Sequence, residues 1–171
     1  MLEYYTVSKK HTFEGVEVLR YRITFPVISD SEEISVFYRE IGDAAADFCS
    51  TKLTVYAEER YTDCTDPKKK FLYTPLCYEL EGKVTHTDGE LMFIMLRART
   101  YQRYPRDSGT SVYDAHAWSL SDKCLLPPKH AARCFLGKRK LPRDIGKNGF
   151  LVDNGTPYIC YPHGTERLPM D

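Results

Sequence analysis

The chain has 171 residues, 42% of them apolar, with 24 Lys and Arg against 24 Asp and Glu. That is long enough for one core-bearing domain and too apolar for intrinsic disorder. The balanced charge argues against a protein that grips nucleic acid over its whole surface, which leaves only a local basic patch for such a role.

The first residues, Met1 to Val7, hold no basic stretch followed by an apolar run, so they do not read as a secretory signal. No stretch of about 20 apolar residues is present to span a bilayer. A soluble, cytoplasmic chain is expected. Its domain covers 1–171, with a core over about 20–162 and peripheral segments at 1–15 and 163–171.

Arg20 to Ile28 is the first clear strand. Tyr21, Ile23, Phe25 and Val27 alternate with Arg20, Arg22, Thr24 and Pro26, which is the period of two of a strand with one buried face. Pro26 cannot donate to a ladder, so the strand lies at an edge or ends there. Ser29 with Glu32, or Asp30 with Glu33, has capping-box spacing. Ile34, Phe37, Tyr38, Ile41, Ala45, Phe48 and Cys49 then recur at helical intervals as one stripe. The helix should reach about Tyr56–Tyr61, a length of about 40 Å. The segment from Thr62 to Pro75, with the Lys68-Lys69-Lys70 run, reads as a solvated loop.

Leu76 to His86 alternates again, and Thr87-Asp88-Gly89 signals a hairpin turn. The return strand, Glu90 to Tyr104, carries Met92, Ile94, Leu96 and Ala98 on one face. Leu91, Phe93, Met95, Arg97, Arg99, Tyr101 and Arg103 occupy the other. A loop with Pro105, Asp107, Ser108 and Gly109 precedes a strand over about Ser111 to Leu120. Pro127-Pro128 opens an irregular basic stretch through Lys147. A last hairpin turns at Asp153-Asn154-Gly155. One long helix followed by hairpins predicts an α+β fold, with the amphipathic helix packed on an antiparallel sheet built from consecutive hairpins.

Three constellations bear on function. Arg97, Arg99, Tyr101 and Arg103 share one strand face, and interleaved Arg and Tyr suit an anionic or glycan ligand or a partner protein. Glu79 and Glu81 on the neighbouring strand are placed to pair with these arginines instead. Asp114 and His116, with Trp118, lie on one face of another strand, where an aspartate can orient an imidazole for base work. Ser108, Ser111 and the cysteines are the available nucleophiles, and none sits in a nucleophile-elbow motif. Cys124, His130 and Cys134 fall within eleven residues, a density of soft ligands that raises zinc, although the spacing matches no standard finger or ribbon. The six cysteines are widely spaced and read as reduced thiols. No phosphate loop or dinucleotide fingerprint is present, and no cofactor is expected. A non-enzymatic binding or interaction module is the leading reading. A small hydrolase using Asp114 and His116, or a structural zinc domain, stands as the alternative.

Several strings, taken in order, resemble a bacterial domain of unknown function. They are Tyr21-Arg-Ile-Thr-Phe-Pro-Val-Ile28, the helix from Ile34 to Leu53, and Tyr101 to Tyr104. Ala117-Trp118-Ser119-Leu120 through Pro127, and Gly149 to Pro162 with its hairpin, complete the set. That family forms the C-terminal sensing region of the anti-sigma factor that serves as a lysozyme receptor in bacilli, and related domains accompany a peptidoglycan deacetylase. The resemblance spans about Arg20 to Pro162 and implies a shared fold. Where the family often has Gly-Gly-Ala-His-Gly, this chain has Arg106-Asp107-Ser108-Gly109-Thr110, so lysozyme sensing does not carry over with the fold.

Overall fold

A computed structural model describes residues 3–168, except 65, 105, 106, 140, 143, 144 and 146. Pro105 and Arg106 of the predicted loop therefore lie outside the described residues. The order of elements is β1 (Glu3–Phe13), β2 (Val16–Val27), α1 (Glu32–Phe48), a π-helical turn (Cys49–Leu53), α2 (Thr54–Thr62), α3 (Pro67–Phe71), β3 (Leu76–Thr87), β4 (Leu91–Gln102), β5 (Asp107–Ser119), β6 (Cys124–Leu126), α4 (Pro128–Leu136), β7 (Gly149–Asp153), β8 (Thr156–Tyr161) and β9 (Gly164–Arg167). Strands β1 to β6 form one sheet in sequence order, and β7 to β9 form a second. Among the described residues, no helix is long and apolar enough to cross a membrane.

The fold is α+β with its helix on a sheet, as expected, but the large sheet is mixed. Strands β2 and β3 pair in parallel, from Leu19–Leu76 to Thr24–Glu81, while the other neighbours are antiparallel. The reason is the long helical connection between them. It returns the chain to the end where β2 began, so the next strand must run the same way. The parallel ladder stops at Thr24. Pro26 therefore owes no N–H to β3, which is how a proline fits a strand with neighbours on both sides.

The segment before residue 16, expected to be peripheral, is the edge strand β1, paired with β2 along its whole length. Its turn is Glu14-Gly15, both at positive φ, the conformation of a tight hairpin turn. Asn154-Gly155 makes the same turn in the predicted closing hairpin. Past that hairpin, β9 adds a third strand where the sequence shows only a short polar tail.

Neither predicted capping pair is used. Ser31 caps α1, its Oγ accepting from the Ile34 N–H at 3.4 Å. The buried helix positions are Ile34, Tyr38, Gly42, Cys49, Leu53, Ala57 and Tyr61. Gly42 and Cys49 lie seven residues apart, two ordinary helical turns, which leaves Phe48 about 100° off the buried stripe, so Phe48, predicted inside, is 43% exposed. Two of the expected irregular stretches hold helices. Asp66 caps α3 inside the first loop, and α4 follows Pro127, with proline at its first positions.

The large sheet is covered on both faces over part of its area. On one face, Tyr21, Ile23, Phe25, Leu80, Met92, Ile94, Leu96 and Trp118 pack against α1 and α2. On the other, Leu91, Phe93, Ala115 and Ala117 pack against α4 and the small sheet through Ala131, Phe150, Leu151 and Ile159. That second cover ends partway along β4. The strand is apolar at Leu91, Phe93 and Met95, where it is covered, and polar at Arg97, Arg99 and Tyr101, where it is not. The change of residue type along one strand face marks the boundary between a core and a wet surface.

Candidate functional site

The uncovered part of the large sheet is a five-strand platform, and the cross-strand register orders it into rows. One row runs Thr6, Thr24, Glu81, Arg97, Tyr113 from β1 to β5. The next runs Ser8, Arg22, Glu79, Arg99, Ser111. A third holds Lys10, Arg20, Cys77 and Tyr101. Residues opposite one another in paired strands point to the same side, so these side chains share one surface. Only the β4 members, with Glu79 and Glu81, stand out in the sequence. The β1 and β2 members join them through the parallel β2–β3 pair, which the strand pattern does not announce.

The platform's charges are partly paired. Arg97 reaches Glu81 at 3.1 Å, the cross-strand ion pair expected as the competing arrangement. Tyr101 donates its hydroxyl proton to Glu79 at 3.1 Å. Arg99 instead lies over the Tyr101 ring, 4.5 Å from its centroid, a cation–π contact made by an exposed side chain. Arg22 faces Glu79 across the ladder, and among the described residues neither Arg22 nor Arg99 has a carboxylate within ion-pair distance. Arg22, Thr24, Glu79, Glu81 and Arg97 line a shallow depression of about 240 Å³. Burial raises the Tyr101 hydroxyl above its ordinary pKa, with the neighbouring Cys77 and Glu79 adding to it, so Tyr101 stays a neutral donor. Arg103 does not join the platform. It sits in the turn after β4 ends, exposed.

Asp114 and His116 project from the opposite face, toward α1. His116 Nε2 lies 3.5 Å from Asp114 Oδ2, so the two residues do meet. The Trp118 indole N–H donates to the Tyr38 hydroxyl oxygen at 2.9 Å, and that hydroxyl lies 3.1 Å from His116 Nδ1. An indole N–H only donates. The Tyr38 hydroxyl accepts from it and donates its own O–H to Nδ1, the arrangement in which the imidazole N–H is at Nε2, facing Asp114. Phe37 closes the cluster edge-on against His116, Tyr38 and Trp118. Both ring nitrogens of His116 are thus committed, and among the described residues no serine or cysteine is hydrogen-bonded to it. Ser111 lies on the other sheet face. Tyr38 of α1, which the sequence shows only as helix stripe, completes a core hydrogen-bond chain that Phe37 packs against.

Asp114 has a second duty. Beyond residue 117 the outer edge of β5 is taken by the short strand β6, and Tyr113 N–H finds Pro162 O at 2.8 Å. Between them, Ala115 N–H is capped by Asp114 Oδ1 at 2.8 Å. These contacts blunt an edge that would otherwise offer free donors to another strand. The His116 hydrogen bond holds the Asp114 carboxyl below the usual carboxylate range. A carboxyl whose folded pKa is lowered stabilises the fold above its ordinary value of about 3.9 and loses that contribution as pH falls through the folded value. Asp114→Asn is expected to flatten the acid limb of the stability curve, modestly, because the side chain is 65% exposed. Urea melts at stepped pH check this. Parallel curves for wild type and variant below about pH 4 would sink it.

The third constellation does not assemble. Cys124 is on β6, while His130 and Cys134 sit one turn apart on the exposed side of α4. Among the described residues, no three His, Cys, Asp or Glu side chains converge as a metal site would require. All six cysteines are free thiols. Burial pushes Cys49 up to about 12, and burial together with Asp114 pushes Cys160 up to about 11, so both are poor nucleophiles.

Two solved structures share this architecture over nearly the whole chain. The fold is the one seen in DUF3298 family proteins. A family member from Bacteroides fragilis superposes with a TM-score of 0.54 at 14% identity, and a DUF3298 protein from Pseudomonas aeruginosa with 0.52 at 13%. Each alignment covers 99% of this chain and 90% of the other. No protein-family model and no curated protein matches the sequence. At this identity the likeness is one of fold, and function rests on the sites themselves.

Proposed function

We propose that the chain is a non-enzymatic binding module whose open sheet platform takes an extended anionic ligand, such as an acidic peptide segment or an acidic glycan. The observation that carries this reading is the pair of exposed guanidinium groups, Arg22 and Arg99, flanking Glu79 with no carboxylate in ion-pair reach among the described residues. A guanidinium offers a planar fork of donors that matches a carboxylate or sulfate. Hydroxyls of Thr6, Thr24, Ser8 and Ser111 stand in the same two rows, and they supply donors and acceptors for the polar groups between charges. The Arg97–Glu81 pair fixes the centre of the platform, so the ligand meets a surface that is already ordered.

The experiment is a binding screen with acidic peptides and acidic glycans, using Arg99→Glu and Arg97→Glu as controls. A ligand of the platform should lose ten-fold or more in affinity with Arg99→Glu, about 1.4 kcal/mol, and should weaken as salt rises. Equal binding by wild type and both variants would rule the platform out.

A further inference from the structure

A second surface feature stands at the end of the molecule beyond the last platform row. Phe71 is 89% exposed and Leu72 54% exposed, side by side at the end of α3. Their exposure does not come from a slack segment. Cys64 before them and Tyr73 after them are buried. The Tyr73 ring meets Tyr61 edge-on at 5.1 Å. The Asp66 carboxylate caps the Lys68 N–H, and the Leu72 N–H returns to the Lys68 carbonyl. Thr74 is tied to Tyr104 through the Thr74 N–H and through the Tyr104 N–H. Tyr73 takes the inward position, and the two residues before it are held outward.

Cations stand next to this apolar pair along the chain. The Lys68-Lys69-Lys70 run precedes it directly. Lys70 Nζ rests over the Tyr61 ring, 4.7 Å from its centroid. Arg103, exposed in the turn after β4, is the chain neighbour of Tyr104, which the Thr74 contacts bring to this end. The Asp66 carboxylate, which lies closest along the chain, is occupied by the helix cap. An exposed aromatic and aliphatic pair directly after a run of lysines fits a surface that is anionic outside and apolar just beneath, which describes an anionic lipid bilayer.

We propose that this tip is a membrane-surface contact, with Phe71 and Leu72 entering the interface between headgroups and acyl chains while Lys68, Lys70 and Arg103 meet the anionic headgroups. The proposal is independent of the platform, which lies on the sheet face. The test is co-sedimentation of the whole chain with vesicles of phosphatidylcholine containing phosphatidylserine, and with vesicles of phosphatidylcholine alone. Binding is expected only to the first kind and should fall as salt is raised. Phe71→Ser should weaken it about ten-fold or more. Lys68→Gln with Lys70→Gln should weaken it about twenty-five-fold, at about five-fold per lysine. Arg97→Glu with Arg99→Glu should leave it unchanged. Circular dichroism confirms that each variant folds, which the exposure of the substituted side chains favours. Wild-type protein left in the supernatant with phosphatidylserine vesicles would overturn the proposal. So would full binding by Phe71→Ser, or equal binding to both vesicle types. Loss through the Arg97 and Arg99 pair instead would move lipid binding to the platform and equally refute the tip.

Discussion

Truncating Phe25 to alanine is expected to lower the stability of the fold by about 3–5 kcal/mol. The ring is 1% exposed and stacks on Tyr38 at 5.6 Å between centroids. It fills the space between helix and sheet at a point where both elements carry glycine. A Cβ at Gly42 would stand 3.4 Å from the ring, and one at Gly82 would stand 2.5 Å from it. With no side chain on either side, the neighbours cannot easily collapse into the space the ring leaves, which places the cost at the upper end of such truncations. The same geometry makes the reverse change harmful. Gly82→Ala drives a methyl group into Phe25 and should cost about 1–3 kcal/mol. The two changes should not add. In the double variant the new methyl enters the cavity, so the combined cost should fall below the sum by about 0.5 kcal/mol or more. Urea denaturation of the four proteins measures this. Strict additivity would mean that Phe25 and Gly82 do not share the space assigned to them.

Tyr38→Phe is expected to cost about 1–3 kcal/mol. The hydroxyl it removes lies between the Trp118 indole N–H and His116 Nδ1 inside a cluster where Tyr38 is fully buried. Among the described residues nothing else accepts from the Trp118 N–H, and an unpaired buried donor carries its whole desolvation penalty. Burial also pushes the Tyr38 hydroxyl well above its ordinary pKa, with the Trp118 hydrogen bond pulling the other way, so the group stays a neutral link at all physiological pH. Trp118→Phe in the Tyr38→Phe background removes the orphaned donor, and the double variant should recover part of the loss. Trp118 is the sole tryptophan, so its emission reports the change directly in wild type and Tyr38→Phe. A Tyr38→Phe protein as stable as wild type would show that the chain from Trp118 to His116 contributes nothing to folding.

Much of the element map was legible in the residues. Period-two runs mark β2, β3 and β4, the helical stripe marks the region of α1 and α2, and Asp153-Asn154-Gly155 marks the last hairpin. Edge strand β1 was less legible because its residues are almost all exposed, which erases the alternation. Helices α3 and α4 hide behind Lys and Pro, where charge and proline suggest loop. The candidate sites were half legible. Arg97, Arg99 and Tyr101 share a face as their spacing requires, and Asp114 meets His116. Arg103 leaves the stripe because β4 ends first. Cys124, His130 and Cys134 are near in sequence, yet strand and helix hold them apart.

By itself the sequence determined the local terms: which residues alternate, where the chain turns, and which side of each strand is apolar. These follow from backbone geometry and side-chain period, and they act over a few residues. Tertiary structure alone decided what those faces meet. The long helical crossover sets β3 parallel to β2 and so brings Arg22 opposite Glu79. The small sheet covers β4 only as far as Met95 and leaves Arg97, Arg99 and Tyr101 open. Tyr38 reaches Trp118 across 80 residues of chain. Such contacts depend on burying surface between distant elements, and no local pattern encodes that choice of partner.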